Sequence, residues 1–225
     1  FHNPTGVTLA QDRRGRLVEL ADRHGFLIVA DEVYQLLDYA GNAPPPMAAY
    51  VSSGKVLSLG TFSKILAPGL RLGWIQAEMS LIGRLAKVPY VISGGGLNPF
   101  TSSIVRTVIE KGWLAGYVRS LREVFRERVD VMDAALRRHF PQSVHFHKPG
   151  GGYFFWLRFP DRTRTHAFLE PAQKLGVSFR PGPKFSVDGG QHNCMRLSFA
   201  YYDAAAIETA IPLLTQKLDD YEGRY

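Results

Sequence analysis

Lys64 closes the tetrapeptide Thr61-Phe62-Ser63-Lys64, where an apolar strand candidate gives way to a polar loop, and Arg71 follows seven residues later. A lysine held partly out of water at such a junction is a nucleophile toward a carbonyl. The hydroxyls of Thr61 and Ser63, with the Arg71 guanidinium, offer an anion site beside it. Asp31-Glu32-Val33-Tyr34 begins where another apolar run ends. Ligands of open α/β sheets bind beyond the carboxyl ends of strands, so Asp31 is well placed for a site. On a helical turn Tyr34 returns to the side of Asp31; the plainer alternative is an N-cap aspartate with a packing tyrosine. In Met195-Arg196-Leu197-Ser198-Phe199, alternation sets Arg196 and Ser198 on the face opposite the apolar three. An arginine so flanked is held rigidly and suits bidentate carboxylate binding, although a structural salt bridge would look the same. Asn3-Pro4-Thr5-Gly6 is, by itself, a turn signal.

The elements that must carry these groups are legible in outline. Thr8-Leu9-Ala10-Gln11 has the capping-box pattern, with Leu17, Leu20, Ala21 and His24 at helical spacing and Gly25 as a stop. Phe26 to Ala30 is apolar throughout, as a strand covered on both faces would be. Ala43-Pro44-Pro45-Pro46 reads as a surface loop, and Val56–Gly60 and Leu70–Ala77 as further strands. Ser93-Gly94-Gly95-Gly96 reads as a flexible break before a helix around Ile104 to Ile109. A longer helix follows from Tyr117 to His139, its apolar face through Leu121, Val124, Phe125, Met132 and Leu136. Its Arg119, Arg122, Arg126 and Arg128 alternate with acids, pairing Arg119 with Glu123 and Arg126 with Asp130, which predicts an ion-paired, solvated face rather than a nucleic-acid surface.

Beyond Pro141 the texture turns to short strands, at Val144–His147, Tyr153–Arg158, Val177–Arg180 and Met195–Phe199. A last helix from about Asp203 carries Ile207, Ala210, Ile211, Leu214 and Leu218 on one face, with Pro212 expected to kink or restart it. The expected domains are 1–115 and 116–225. The chain has 225 residues, 45% of them hydrophobic and 21% charged, which suits a soluble globular protein. No apolar run reaches the length of a membrane span. The net charge of +7 admits an anionic ligand or plain surface bias. Cys194 is the only cysteine, so no internal disulfide forms, which fits a reducing compartment. His145 and His147 are too sparse for a metal claim, and the Gly94–Gly96 run lacks the nucleotide-binding patterns.

N-P-T-G, D-E-V-Y, T-F-S-K with G-L-R-L-G-W, P-G-G-G-Y-F-F-W-L and R-L-S-F occur here in one order. In that order the chain resembles the fold-type-I pyridoxal-phosphate enzymes, and within them the class I/II aminotransferases. The resemblance implies an α/β fold: the C-terminal part of a large domain, with a mostly parallel sheet and helices on both faces, followed by a smaller α+β domain. It implies that Lys64 forms the Schiff base with pyridoxal 5′-phosphate and then carries the proton, while a buried Asp31 pairs with the pyridine nitrogen. Tyr34 and Asn3 would bond the ring's phenolic oxygen; Thr61, Ser63 and Arg71 would hold the phosphate; Arg196, with Asn3, would bind the substrate carboxylate. Pro4 would follow a cis peptide bond. The implied partners are an amino acid and a 2-oxo acid, with a second copy in a cytoplasmic homodimer, and no membrane or nucleic acid. The Ser93–Phe100 and Gly-Gly-Tyr-Phe-Phe-Trp stretches look most like the 2-aminoadipate/kynurenine-type branch. The family's Gly-rich phosphate loop would lie upstream of Phe1, so the chain reads as lacking its beginning. Two alternatives stand beside the enzyme: the ligand-sensing domain of a transcription regulator, expected to follow a DNA-binding segment, and an inactive truncated remnant.

Overall fold

The computed structural model describes residues 1–93 and 98–222, with the backbone alone for 217–222. The Gly94–Gly96 break and the side chain of Leu218 lie outside the described residues. The chain forms two compact units: Thr8–Arg122, and Phe1–Val7 together with Glu123–Tyr225.

In the Thr8–Arg122 unit, helix α1 (Gln11–His24) leads into strand β1 (Ile28–Asp31), which pairs in parallel with β2 (Val56–Thr61). Strand β3 (Gly73–Ala77) closes the order β1-β2-β3 in antiparallel pairing with β2. Helices α2 (Met79–Leu85), α3 (Pro89–Ser93) and α4 (Pro99–Glu110) follow, and α5 (Trp113–His139) continues into the second unit.

Several boundaries differ from the sequence expectations. Thr8 does not cap α1: the N-cap is Ala10, extended and without a side-chain cap bond. The helix instead ends as expected on Gly25, left-handed at φ 72°, whose N–H reaches Ala21 O. The Phe26-Leu27 end of the apolar run stays outside β1, because the Phe26 N–H is taken by Ala21 O in the helix exit. Nor is the strand covered on both faces, since Val29 is 59% exposed. The β3 region is shortened to Gly73 by a 3₁₀ turn over Pro68–Leu70.

In the other unit the sheet order is β4-β6-β5, all antiparallel: β4 is Phe154–Arg158, β5 Arg180–Pro181 and β6 Cys194–Ser198. Helix α6 (Leu169–Lys174) precedes β5, and α7 (Ala204–Glu222) ends the unit. Val144–His147 is no strand; His145 exchanges a single pair of backbone bonds with Arg158. The expected Val177–Arg180 strand shrinks to Arg180–Pro181, and Pro181 has no N–H to extend the ladder. Pro212 does not restart α7, which is one helix across it.

The face of α5 is also reapportioned. Val124 is exposed, while Phe125, Val129, Met132, Ala135 and Leu136 are buried. Two of its arginines turn away from solvent: Arg122 Nε donates to Leu36 O (2.8 Å) and Arg128 Nη1 to Ala200 O (2.8 Å). Asp130 pairs with Lys148 at 2.6 Å. The core of this unit is aromatic, with Phe155, Phe159, Phe168 and Phe199 fully buried. Cys194 is buried among them, and loss of water pushes its thiol up, against the opposing pull of Arg158. Among the described residues no helix is long and apolar enough to cross a membrane.

Candidate active site

Because β1 and β2 run parallel, their carboxyl ends, Asp31 and Thr61, open at one end of the sheet. Antiparallel β3 begins at that same end, since Gly73 pairs with Thr61. The connections leaving and entering there carry Tyr34, Ser63, Lys64 and Arg71. Parallel pairing therefore converts residues far apart in sequence into one lip of polar groups.

The Lys64 turn is tightly fixed. Phe62 O accepts from the N–H groups of Ile65 (3.3 Å), Leu66 (2.8 Å) and Ala67 (3.1 Å), and Phe62 N–H donates to Leu72 O (3.0 Å). Ile65, 1% exposed, drives the turn into the core and leaves Lys64 half-buried. Lys64 Nζ sits 5.9 Å from the ring centroid of Tyr34, which is itself buried on the turn after β1. Asp31 is exposed at the strand end, where the resemblance implied a buried carboxylate.

Thr61 has a structural duty: its hydroxyl donates to Leu72 O (3.2 Å) and accepts the Ser63 N–H (3.1 Å). It orders the turn that carries Ser63 and Lys64. Arg71 is exposed, in a left-handed conformation at φ 50°, uncommon for a bulky residue, and Nη1 donates to Pro68 O (3.2 Å). Asn98, the N-cap of α4, donates from Nδ2 to Leu70 O (3.2 Å) and so braces the residue before Arg71.

Glycine makes this end of the sheet possible. Gly60 pairs with Trp74, and a Cβ on Gly60 would lie 2.0 Å from Trp74 Cε2. The indole thereby reaches Phe62, with ring centroids 4.8 Å apart. Gly60→Ala is expected to eject the indole and lower stability by about 1–3 kcal/mol, read as a lower urea midpoint together with altered tryptophan fluorescence.

Glu32 is the buried anchor that pattern reading passed over. Its carboxylate accepts from Met47 N–H (2.7 Å), Ala48 N–H (3.0 Å) and Ser58 Oγ (2.8 Å), and Arg14 Nη1 lies at 3.5 Å. Arg14 also donates to Leu9 O and Pro45 O, both at 2.9 Å. The D-E-V-Y segment is thus pinned from inside by its second residue.

In the other unit the N-P-T-G segment packs beside β4. Gly6 is left-handed at φ 71°, and a Cβ there would meet Phe154 O at 3.0 Å. The Asn3–Pro4 peptide is cis, as the resemblance implies. Arg196 Nη1 donates to Asn3 Oδ1 at 2.6 Å, joining residues from opposite ends of the chain. The Arg196 guanidinium carbon lies 4.0 Å from the Phe154 ring centroid and 4.7 Å from that of Phe185. The expected residues thus gather in two sets: Asp31, Tyr34, Thr61, Ser63, Lys64 and Arg71 at one sheet end, and Asn3 with Arg196 in the other unit. Among the described residues no group of acidic, histidine or cysteine side chains could hold a metal ion.

This architecture is that of the fold-type-I pyridoxal-phosphate transferases. The chain belongs to the class I and II aminotransferases, whose family model matches residues 1–214. It is 38% identical over 220 residues to "Aromatic-amino-acid aminotransferase 1" of Thermococcus litoralis, covering 98% of this chain and 52% of that protein. It is 27% identical to LysN, the alpha-aminoadipate aminotransferase of Thermus thermophilus solved with N-(5'-phosphopyridoxyl)-L-leucine; the TM-score is 0.90, over 99% of this chain and 58% of that one. It is also 30% identical to the HTH-type transcriptional regulator YisV of Bacillus subtilis, over 94% of this chain and 43% of that protein. The chain spans about half the length of the relatives it matches.

Proposed function

We propose that the protein to which this chain belongs is a pyridoxal-phosphate-dependent aminotransferase that moves an amino group from an amino acid to a 2-oxo acid, of 2-aminoadipate/kynurenine type. The observation that carries the reading is the half-buried Lys64 amine facing the buried Tyr34 ring beyond the ends of two parallel strands. The donor set fits the cofactor: a carboxylate for a protonated ring nitrogen, an amine for an aldehyde, and hydroxyls with a guanidinium for a phosphate. When bound, the cofactor supplies the electron sink that acidifies the substrate α-carbon. Asp31 holds the ring nitrogen protonated, and Tyr34 and Asn3 orient the phenolic oxygen. Thr61, Ser63 and Arg71 would hold the phosphate, and Thr61 also orders their turn. Lys64 Nζ would take up the proton at the substrate α-carbon and later release it, so one group would serve as base and then acid. Arg196, oriented by Asn3, binds the substrate carboxylate. We take residues 1–115 as the large, cofactor-binding domain and 116–225 as the linking helix and small domain, although Phe1–Val7 group with the C-terminal unit.

The test is borohydride reduction of the full-length protein loaded with pyridoxal phosphate, followed by peptide mapping. A pyridoxyl group on Lys64 is expected; a loaded protein modified elsewhere, or nowhere, sinks the assignment.

We further propose a cytoplasmic homodimer. Met79, Tyr90, Ile92, Phe100 and Trp113 are each at least 62% exposed and are apolar side chains that such an interface would cover. Sedimentation of the full-length protein should give twice the protomer mass. The similarity to a transcription regulator favours a second reading, a ligand-sensing domain behind a DNA-binding segment. The sequence upstream in the gene separates the two: a helix-turn-helix segment supports the regulator, a Gly-rich phosphate loop without one supports the enzyme.

A further inference from the structure

We propose that Phe185 is a positioning residue for substrate carboxylates: with Phe154 it holds the Arg196 guanidinium as a fixed, partly dehydrated plane. The inference rests on reading Arg196 as the carboxylate-binding residue. Both ring centroids lie well inside cation–π range, at 4.0 and 4.7 Å. Two rings this close to the guanidinium carbon keep water from those sides of the cation, and its remaining N–H donors stay available to a planar carboxylate. A guanidinium has five such donors. Asn3 accepts from Nη1 with a neutral oxygen, so that bond orients the cation without cancelling its charge.

The Phe185 ring is not loosely placed. It follows β5 on the 3₁₀ turn Gly182–Phe185. A Cβ on Gly182 would lie 1.9 Å from Gln191 O and 2.9 Å from Cys194 O, so the turn is pressed against the chain entering β6. Trp156, the β4 register partner of Arg196, meets Phe185 edge-on with centroids 5.6 Å apart. Phe185 is thus gripped between the strand that presents Arg196 and a neighbouring ring. Core packing alone is a poorer account, because Phe185 is half-buried while the true core rings, Phe155 and Phe159, are at most 2% exposed.

The test compares Phe185→Met, which keeps bulk without a ring, and Phe185→Tyr, which keeps the ring, in the full-length protein. Phe185→Met should raise KM for the amino-acid substrate about tenfold with kcat little changed. It should weaken calorimetric binding of 4-methylpentanoate, a carboxylate with no amino group, by the same factor, and Phe185→Tyr should restore both. The pyridoxyl group on Lys64 should form equally in all three proteins. Unchanged carboxylate binding in Phe185→Met, or a fall in kcat at constant KM, overturns the inference. A parent protein that gives no Lys64 adduct overturns the aminotransferase reading instead, and the calorimetric comparison still decides the role of Phe185.

Discussion

Lys64→Ala should abolish transamination by the full-length protein, by at least about 10⁴-fold, while leaving its fold intact. One nitrogen has two duties in the proposed chemistry, as nucleophile toward the cofactor aldehyde and as the group that moves the proton. Losing proton transfer alone costs about 10²–10⁴-fold, and the two losses compound. Lys64→Arg should be equally inactive: it keeps the charge, but a guanidinium that never deprotonates neither attacks a carbonyl nor accepts a proton. Stability should change by less than about 1 kcal/mol, the usual range for a side chain outside the core. The turn is held by Phe62 O, Thr61 and buried Ile65, none of which uses the Lys64 amine. The informative result is therefore a split, with collapsed activity, no pyridoxyl group at position 64 and an unmoved urea midpoint. Retention of activity within tenfold of the parent would remove Lys64 from the chemistry.

The division between what pattern reading reached and what it missed follows from the range of the interactions. Short signals with local causes were legible: the Gly25 stop, the alternation that sets Arg196 on the outer face of β6, and the strand ending at Thr61. What the chain alone conceals is pairing across distance. Nothing within N-P-T-G itself announces that Asn3 meets Arg196, which only the family resemblance brings together at the substrate, and nothing near Phe185 announces its ring against the same guanidinium. Thr61 shows a subtler limit. Its type and place suit a phosphate ligand, and residue type alone does not show that Leu72 O and Ser63 N–H also use its hydroxyl to build the turn. The covered faces expected for Phe26 to Ala30 failed because apolar composition reports what a strand can bury, and Val29 lies on a face these residues leave exposed. Glu32 was the costliest omission. Two of its partners are backbone N–H groups, which leave no trace in residue types.

Glu32→Ala should be the most destabilising single change in the Thr8–Arg122 unit's polar interior, at about 3–5 kcal/mol. The carboxylate is 9% exposed and takes three short bonds, two of them from the backbone at the start of the 3₁₀ turn Met47–Ser53 and one from Ser58 in β2. Truncation leaves two N–H groups, a hydroxyl and the Arg14 guanidinium, 10% exposed, short of an acceptor in a place water scarcely reaches. The ion pair is the lesser part, because Arg14 approaches only to 3.5 Å and keeps Leu9 O and Pro45 O as acceptors. A double-mutant cycle with Arg14→Met should accordingly give a coupling below about 1.5 kcal/mol, well under the loss from Glu32→Ala alone. Glu32→Gln should fall between, since one amide oxygen cannot serve three donors. Glu32 stands between Asp31 and Tyr34, so the same variant should load pyridoxal phosphate more weakly even where it remains folded. Urea unfolding of the four proteins in the cycle, with cofactor absorbance followed in parallel, measures both effects. A loss below about 1 kcal/mol for Glu32→Ala would remove the carboxylate as an anchor, and a coupling that accounts for most of the loss would assign it to Arg14 rather than to the backbone.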